Sequence, residues 1–203
     1  MPKVDFKKHF QHLYQPSARE VVQVEVPPLN YLMLDGEGDP NTSPSYQAAV
    51  EALFALSYTI KFIVKKGSLA IDYGVLPLEG LWWADDMSSF TTADKSSWKW
   101  TMLIMQPEFV TPVMVTEAIN KQKGKIAPSV LEQVRFEALA EGLSAQIMHI
   151  GPFSAEGPTI ERLHQYIAGS GHERRGKHHE IYLSDIRKAD PAKWRTVIRQ
   201  PVR

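Results

Sequence analysis

In VVQVEV at 21–26, Val22, Val24 and Val26 alternate with polar neighbours, the two-residue period of a strand buried on one face. Pro27 and Pro28 close that strand. YLML at 31–34 predicts a second one running into DGEGDPNTSP, whose glycines and prolines break regular structure. Upstream, Phe6, Phe10, Leu13 and Tyr14 fall at helical spacing, so residues 5–14 read as a short amphipathic helix ending near Pro16. Ser43 is a helix N-cap with Pro44 in the first helical position, and Tyr46, Ala49, Val50, Leu53 and Phe54 form the apolar face of the first long helix. IDYGVLPLEGLWW at 71–83 reads as a strand that accommodates Pro77 at an edge or bulge, and WKWTMLIMQP at 98–107 as the next.

The same order recurs downstream. VRFEAL at 134–139 and AQIMHIG at 145–151 read as strands. Gly157-Pro158 opens a helix carrying Ile160, Leu163 and Ile167, which Gly169 and Gly171 end. HHEIYLSD at 178–185 and KWRTVIRQP at 193–201 are the last two strands. KWTMLIMQP at 99–107 and KWRTVIRQP share Lys, Trp, Ile, Gln and Pro at matching places, and Gly36 answers Gly151 in collinear order. The expectation is an α+β fold, a tandem pseudo-twofold duplication of a strand-helix-strand-strand unit with antiparallel sheets and helices packed on one side. The expected division of this single 203-residue domain is an N-terminal arm at 1–20, a first repeat at 21–107, a connector helix within 108–133 and a second repeat at 134–203.

Composition narrows the partners. The 23 basic residues balance the 23 acidic ones without long blocks of either sign, so neither nucleic acid nor an anionic membrane has an electrostatic warrant. No cysteine is present, which excludes disulfides, thiol nucleophiles and cysteine-based metal sites. No stretch reads as a signal peptide or as the ~20 apolar residues of a membrane span, so a cytoplasmic location is expected. No oligomeric state is implied.

Strand alternation then sorts the chemistry. In HHEIYLSD, His178, Glu180 and Tyr182 project to one face, while His179, Ile181 and Leu183 project to the other. Ile181 and Leu183 belong to the core, which leaves Glu180 in the wall of a polar-centred pocket. Matching Val75-Leu76-Pro77-Leu78 to Glu180-Ile181-Tyr182-Leu183 pairs Tyr73 with His178 and aims Tyr73 at the same cleft. Alternation lets about half of Trp82, Trp83, Trp98 and Trp100 point inward. The candidate ligand-binding set is Trp83, Trp100, Tyr182, His178, His149 and Phe153, with Glu180 and Tyr73 as candidate catalytic groups. Neighbouring His178 and His179 point apart on their strand, so no metal is expected. GEGD at 36–39 is not a nucleotide-binding loop and GPFSAEG is not a serine nucleophile elbow, so no cofactor is expected either.

LYQPS at 13–17, YLMLDGEGDPN at 31–41, LEGLWW at 78–83, WKWTMLIMQP, IMHIGPF at 147–153 and HHEIYLSDIRK at 178–188 together resemble the GyrI-like small-molecule-binding proteins across nearly the whole chain. The resemblance implies a pseudo-symmetric pair of strand-helix-strand-strand units and a pocket glutamate at Glu180. Its first 20 residues being too few for a DNA-binding module, the chain is similar to stand-alone members that open the cyclopropane ring of DNA-alkylating natural products. The leading expectation is therefore a detoxifying hydrolase of hydrophobic, aromatic, electrophilic small molecules, with Glu180 as base, Tyr73 as oxyanion donor and tryptophans stacking on the substrate. One alternative is a module that sequesters or senses drugs unchanged, with Glu180 as counter-ion; a second is a gyrase-interacting protein. An aromatic cleft is expected to raise the Glu180 pKa.

Overall fold

A computed structural model describes residues 3–85 and 95–203; residues 86–94 of the expected first repeat lie outside that range. The chain starts with a short strand β1 (Lys3–Val4) and two single helical turns, α1 (Phe6–His9) and α2 (Gln11–Tyr14). Phe10 interrupts the predicted helix of 5–14, and Asp5 caps α1 by accepting from the Lys7 and Lys8 amides. Strands β2 (Val22–Val26) and β3 (Leu29–Glu37) follow, then the long helix α3 (Pro44–Lys66). Its N-cap is the predicted one, with the Ser43 hydroxyl accepting from the Tyr46 amide.

The predicted strand at 71–83 divides in two. β4 (Asp72–Tyr73) pairs in parallel with β1 in a separate two-stranded sheet, and β5 (Leu78–Trp83) enters the main sheet. Pro77 lacks the N–H a central strand must donate, and the chain regains ladder pairing only at Leu78. β6 (Lys99–Gln106) follows. The 108–133 segment then holds two helices rather than one, α4 (Pro112–Gln122) and α5 (Pro128–Leu131), both packed on α3. The second half comprises β7 (Arg135–Leu139), β8 (Gly142–Ile150), α6 (Gly157–Gly169), β9 (His178–Tyr182) and β10 (Arg195–Pro201).

Among the described residues, eight strands form one antiparallel sheet in the order β2-β8-β10-β9-β5-β6-β3-β7. From the central β9–β5 ladder outward, each side presents the third, then the first, strand of its strand-helix-strand-strand unit. The edge strands are exchanged: β2, from the N-terminal half, pairs with β8, and β7, from the C-terminal half, pairs with β3. This order fits two copies of one unit without itself establishing a duplication. Gly36 lies opposite Trp100 in the β3–β6 ladder, where a Cβ would sit 2.1 Å from the indole ring, so a glycine is needed to admit it.

Helices α3 and α6 lie side by side on one face, over two separate apolar clusters. The larger centres on Leu53, Leu56, Ile60, Trp100, Met102 and Ile104; the smaller joins Leu163 and Ile167 to Ile147 and Ile198. With 23 residues and a mean hydropathy of 1.3 over its most apolar window, α3 is long and apolar enough to cross a membrane, which the sequence reading did not anticipate. Here its buried face packs on β3, β6 and α4.

The opposite face of the central strands buries a charge cluster closed by the N-terminal arm. His179 bonds Glu79 Oε2 through Nε2 and Glu141 Oε1 through Nδ1, each at 2.9 Å. Carboxylates only accept, so both ring nitrogens donate and His179 is an imidazolium. Arg199 donates to Glu141 Oε2 at 3.1 Å, to Gln146 at 3.0 Å and to the Leu13 carbonyl at 3.0 Å, and the Tyr14 hydroxyl donates to Glu79 at 3.1 Å. Two anions and two cations thus balance in a site from which water is excluded.

This cluster sets the pH response of stability. Burial opposes ionisation of Glu141, but His179 and Arg199 hold its pKa down at about 2; burial also opposes the His179 charge, which Glu141 and Glu79 sustain up to about 9. Glu141 contributes stability above its ordinary pKa of 4.5 that is lost as pH falls toward 2. His179 contributes stability below 6.5 that is lost as pH rises through about 9. Through these two groups, urea unfolding is expected to lose stability on the acid side as pH falls from 4.5 toward 2 and on the alkaline side as pH rises from 6.5 through about 9, and Glu141→Gln to reduce the acid-side slope. A flat profile in the parent protein would contradict this.

Candidate functional site

Between α3 and α6 lies an open cleft of about 2200 Å³ whose floor is the β5–β9 ladder. Pocket volumes for drug-sized molecules run to ~1,000 Å³, so this groove has room for a large flat ligand and its solvent. Antiparallel register fixes what the floor shows: Gly80 lies opposite Glu180, Leu78 opposite Tyr182 and Trp82 opposite His178. Trp82 and Tyr182 therefore rise from opposite ends of the ladder and lean toward each other across Gly80. The Trp82 indole donates to the Tyr182 hydroxyl at 2.9 Å, Tyr182 donates to Glu180 Oε2 at 2.7 Å, and His178 Nε2 bonds Glu180 Oε1 at 3.0 Å. Both carboxylate oxygens are held, and the side chain keeps 14% of its exposure.

Aromatic rings surround this chain of bonds. Tyr46 from α3 packs on Trp82 with centroids 6.1 Å apart, and Trp98 meets Trp82 edge-on at 5.9 Å. On the other side Phe153 packs edge-on against Tyr182 at 5.5 Å and tilts over Trp194 at 5.0 Å. Val50, Phe54 and Tyr58 of α3 extend the apolar wall, and the Lys95 ammonium enters the cleft 4.8 Å from the Trp98 ring centre.

The electrostatics differ from the sequence expectation. Burial does push the Glu180 pKa up, but the bonds from His178 and Tyr182 and the Lys95 charge outweigh it, and the carboxyl stays below the usual range. Glu180 is therefore held as an anion at neutral pH. The raised carboxyl is a different one. Glu156, buried at the start of α6, is pushed up to about 9 by burial first and by the Glu180 charge second. At the rim, burial and then the Arg174 charge hold His164 down at about 4, so it is neutral.

The predicted residues separate into two groups. Glu180, Tyr182, His178 and Phe153 meet in the cleft. Tyr73 does not line it: it is packed against Phe6 and Phe109, at 6.1 and 5.7 Å, where β4 pairs with β1. The cause is register. With the shared KWxxxIxQP residues superposed, the ladders match Leu78, not Val75, to Glu180; this slip of three residues exchanges the faces. Trp83 alternates to the far side of the sheet from Trp82, with the Lys177 ammonium 3.2 Å from its ring centre. Trp100 is fully buried beneath Tyr46. His149 is also buried and joins Thr159 of α6, at 3.0 Å, to the Pro152 carbonyl, at 3.3 Å, a structural tie rather than a ligand contact.

Tyr46, Lys95 and Glu156 were not anticipated in the cleft, and Trp82 and Trp98, weighed among the four tryptophans, were left out of the candidate ligand-binding set. Alternation counted from Gly80 would have identified Trp82. Glu156 sits between a short helical turn and α6, outside any periodic element, so no pattern marks it.

The model of the GyrI-like small molecule binding domain matches residues 19–203. Three solved structures from Listeria innocua resemble the chain throughout. An uncharacterized conserved protein is 40% identical with a TM-score of 0.89, over 98% of this chain and 100% of the other. A hydrolase is 38% identical with a TM-score of 0.84 over the same shares, and a second hydrolase structure is 40% identical with a TM-score of 0.87 over 99% and 100%. No match was found among curated proteins.

Gly80 offers a direct test of the geometry, since an added Cβ would lie 2.6 Å from the Trp82 indole nitrogen and 3.0 Å from the Tyr182 hydroxyl. Gly80→Ala is expected to part these two groups, to destabilise the fold by about 1–3 kcal/mol and to change the tryptophan emission. Urea unfolding followed by fluorescence measures both; an unaltered midpoint and spectrum would show that the indole and phenol do not meet over Gly80.

Proposed function

The chain belongs to the GyrI-like small-molecule-binding family, and from that premise we propose that it is a detoxifying hydrolase that adds water to electrophilic, cyclopropane-bearing aromatic compounds. The observation that carries the reading is an ionised glutamate, Glu180, fixed by two hydrogen bonds in the floor of an aromatic cleft. Similarity over full length to two structures described as hydrolases supports the reaction class. A cytoplasmic location accords with this role.

The proposed chemistry follows from the donors present. A flat substrate lies between the Trp82–Trp98 side and Phe153, gaining dispersion and hydrophobic energy from both. Water placed against Glu180 is oriented by a carboxylate that cannot turn, because His178 and Tyr182 hold both its oxygens. Glu180 takes the proton that water loses as its oxygen bonds to the strained ring carbon. The lowered pKa makes it a mild base that is ionised across the neutral range, so the activity that depends on this base is expected to fall on acidification below the ordinary carboxylate range.

A second reading has its own observation. A fixed anion surrounded by aromatic rings also suits a flat cation, which the protein would sequester unchanged. Incubation with a cyclopropane-fused dienone, followed by mass spectrometry of the ring-opened product, separates the two. Turnover over many equivalents is expected, with Glu180→Gln lowering kcat by about 10²–10⁴-fold and leaving the affinity for the neutral compound within about twofold. Bound compound recovered unchanged from the parent protein would refute hydrolysis of this class and favour sequestration.

A further inference from the structure

The hydrolytic reading leaves one role empty. When the strained ring opens, negative charge moves to the distant carbonyl oxygen, and a donor must meet it there. Tyr73 is outside the cleft, and the Tyr182 hydroxyl proton is already committed to Glu180.

Glu156 lines the same cleft and is 5% exposed. Although it stands at the N-cap of α6, its side chain accepts no hydrogen bond from the helix amides. Its Oε1 is buried without a hydrogen-bond partner among the described residues. A carboxylate would gain from the helix N-terminus and from those amides; this one takes no hydrogen bond from them. The groups that act on it are Glu180 from β9, Thr196 from β10 and Lys95 from the segment before β6. The Thr196 hydroxyl and the Lys95 charge favour the ionised form, but burial first and the Glu180 charge second outweigh them, which keeps the acid protonated at neutral pH.

The geometry points to Glu156 as a second ligand-binding group of the cleft, a protonated acid that donates a hydrogen bond to a carbonyl oxygen of the bound molecule. The inference rests on the cleft being the binding site and extends the reading above by naming the ligand chemistry: a flat aromatic ring bearing an acceptor oxygen. The opposed titrations of the pair, Glu180 lowered and Glu156 raised to about 9, support it.

In the proposed hydrolysis the atoms then balance. The water oxygen bonds to the ring carbon, the strained C–C bond breaks, and its electron pair passes through the conjugated system to the carbonyl oxygen, which takes the Glu156 proton. Glu180 holds the proton lost by water. The two carboxyls end with their protonation exchanged, and one proton passing between them restores the resting state.

Two measurements test the donor without relying on turnover. Infrared difference spectra between the parent protein and Glu156→Gln are expected to show a protonated carboxylic acid band at pH 7 that disappears in the parent only near pH 9. A parent spectrum with no such band at neutral pH would overturn the inference. The second probe is the pair fluorenone and fluorene, which differ by the carbonyl oxygen. The parent is expected to prefer fluorenone by about five- to tenfold, Glu156→Gln to retain a preference through its amide donor, and Glu156→Ala to lose it. A preference unchanged in Glu156→Ala would overturn the donor and leave the part of Glu180 intact. A preference that depends on Glu156, in a protein that does not open the cyclopropane probe, would sustain the donor and remove the reaction.

Discussion

The ladder between β5 and β9 constrains everything else in this molecule, because it carries ionised groups on both of its faces in the middle of the sheet. An anion so far from bulk water persists only if donors reach each of its oxygens. On the cleft face Tyr182 and His178 do this for Glu180; on the other face His179 and Arg199 do it for Glu141, and Tyr14 and His179 for Glu79. Residues 178–180 thus alternate between the two systems, and any slip in register would strand charge on both sides at once. The N-terminal arm is drawn onto the sheet by the same requirement, through the Tyr14 hydroxyl and the Leu13 carbonyl.

The cleft is a consequence of how the two halves join. Each half packs one long helix over its own apolar cluster, and the strands between them, β5 and β9, are covered by neither helix completely. Gly80 then leaves room for the Trp82 indole and the Tyr182 hydroxyl to meet opposite Glu180. What remains is a groove whose inward polarity comes from a few groups of fixed orientation. Such a surface recognises ligands by flatness and by where their oxygens fall.

Much of this was legible in the sequence. Two-residue alternation in HHEIYLSD placed His178, Glu180 and Tyr182 on one face, and the Ser43-Pro44 and Gly157-Pro158 starts marked both long helices. Two of the misplaced residues share one physical origin, while Trp100 and His149 are simply buried beneath other groups. Alternation gives faces only relative to a known starting residue, and Pro77 broke the strand that was counted through it; Tyr73 and Trp83 were consequently assigned to the wrong side. The exchanged edge strands β2 and β7 depend on long-range pairing that no local pattern encodes. Glu156 was hidden for another reason: its importance lies in burial beside a second carboxyl that is remote in sequence. The direction of the Glu180 pKa was likewise missed, since desolvation is suggested by aromatic composition whereas the donors that overcome it are visible only in three dimensions.

The central claim, that one fixed anion in an aromatic groove acts on a flat electrophile, is most directly tested by a crystal structure of the Glu180→Gln variant with an intact cyclopropane-fused dienone. The account predicts the ring system lying against Trp82 and Phe153, with the cyclopropane carbon about 3–3.5 Å from a water held by the amide that replaces the carboxylate. Occupancy instead on the far side of the sheet beside Trp83 and Lys177, or a cleft left empty at saturating compound, would contradict it.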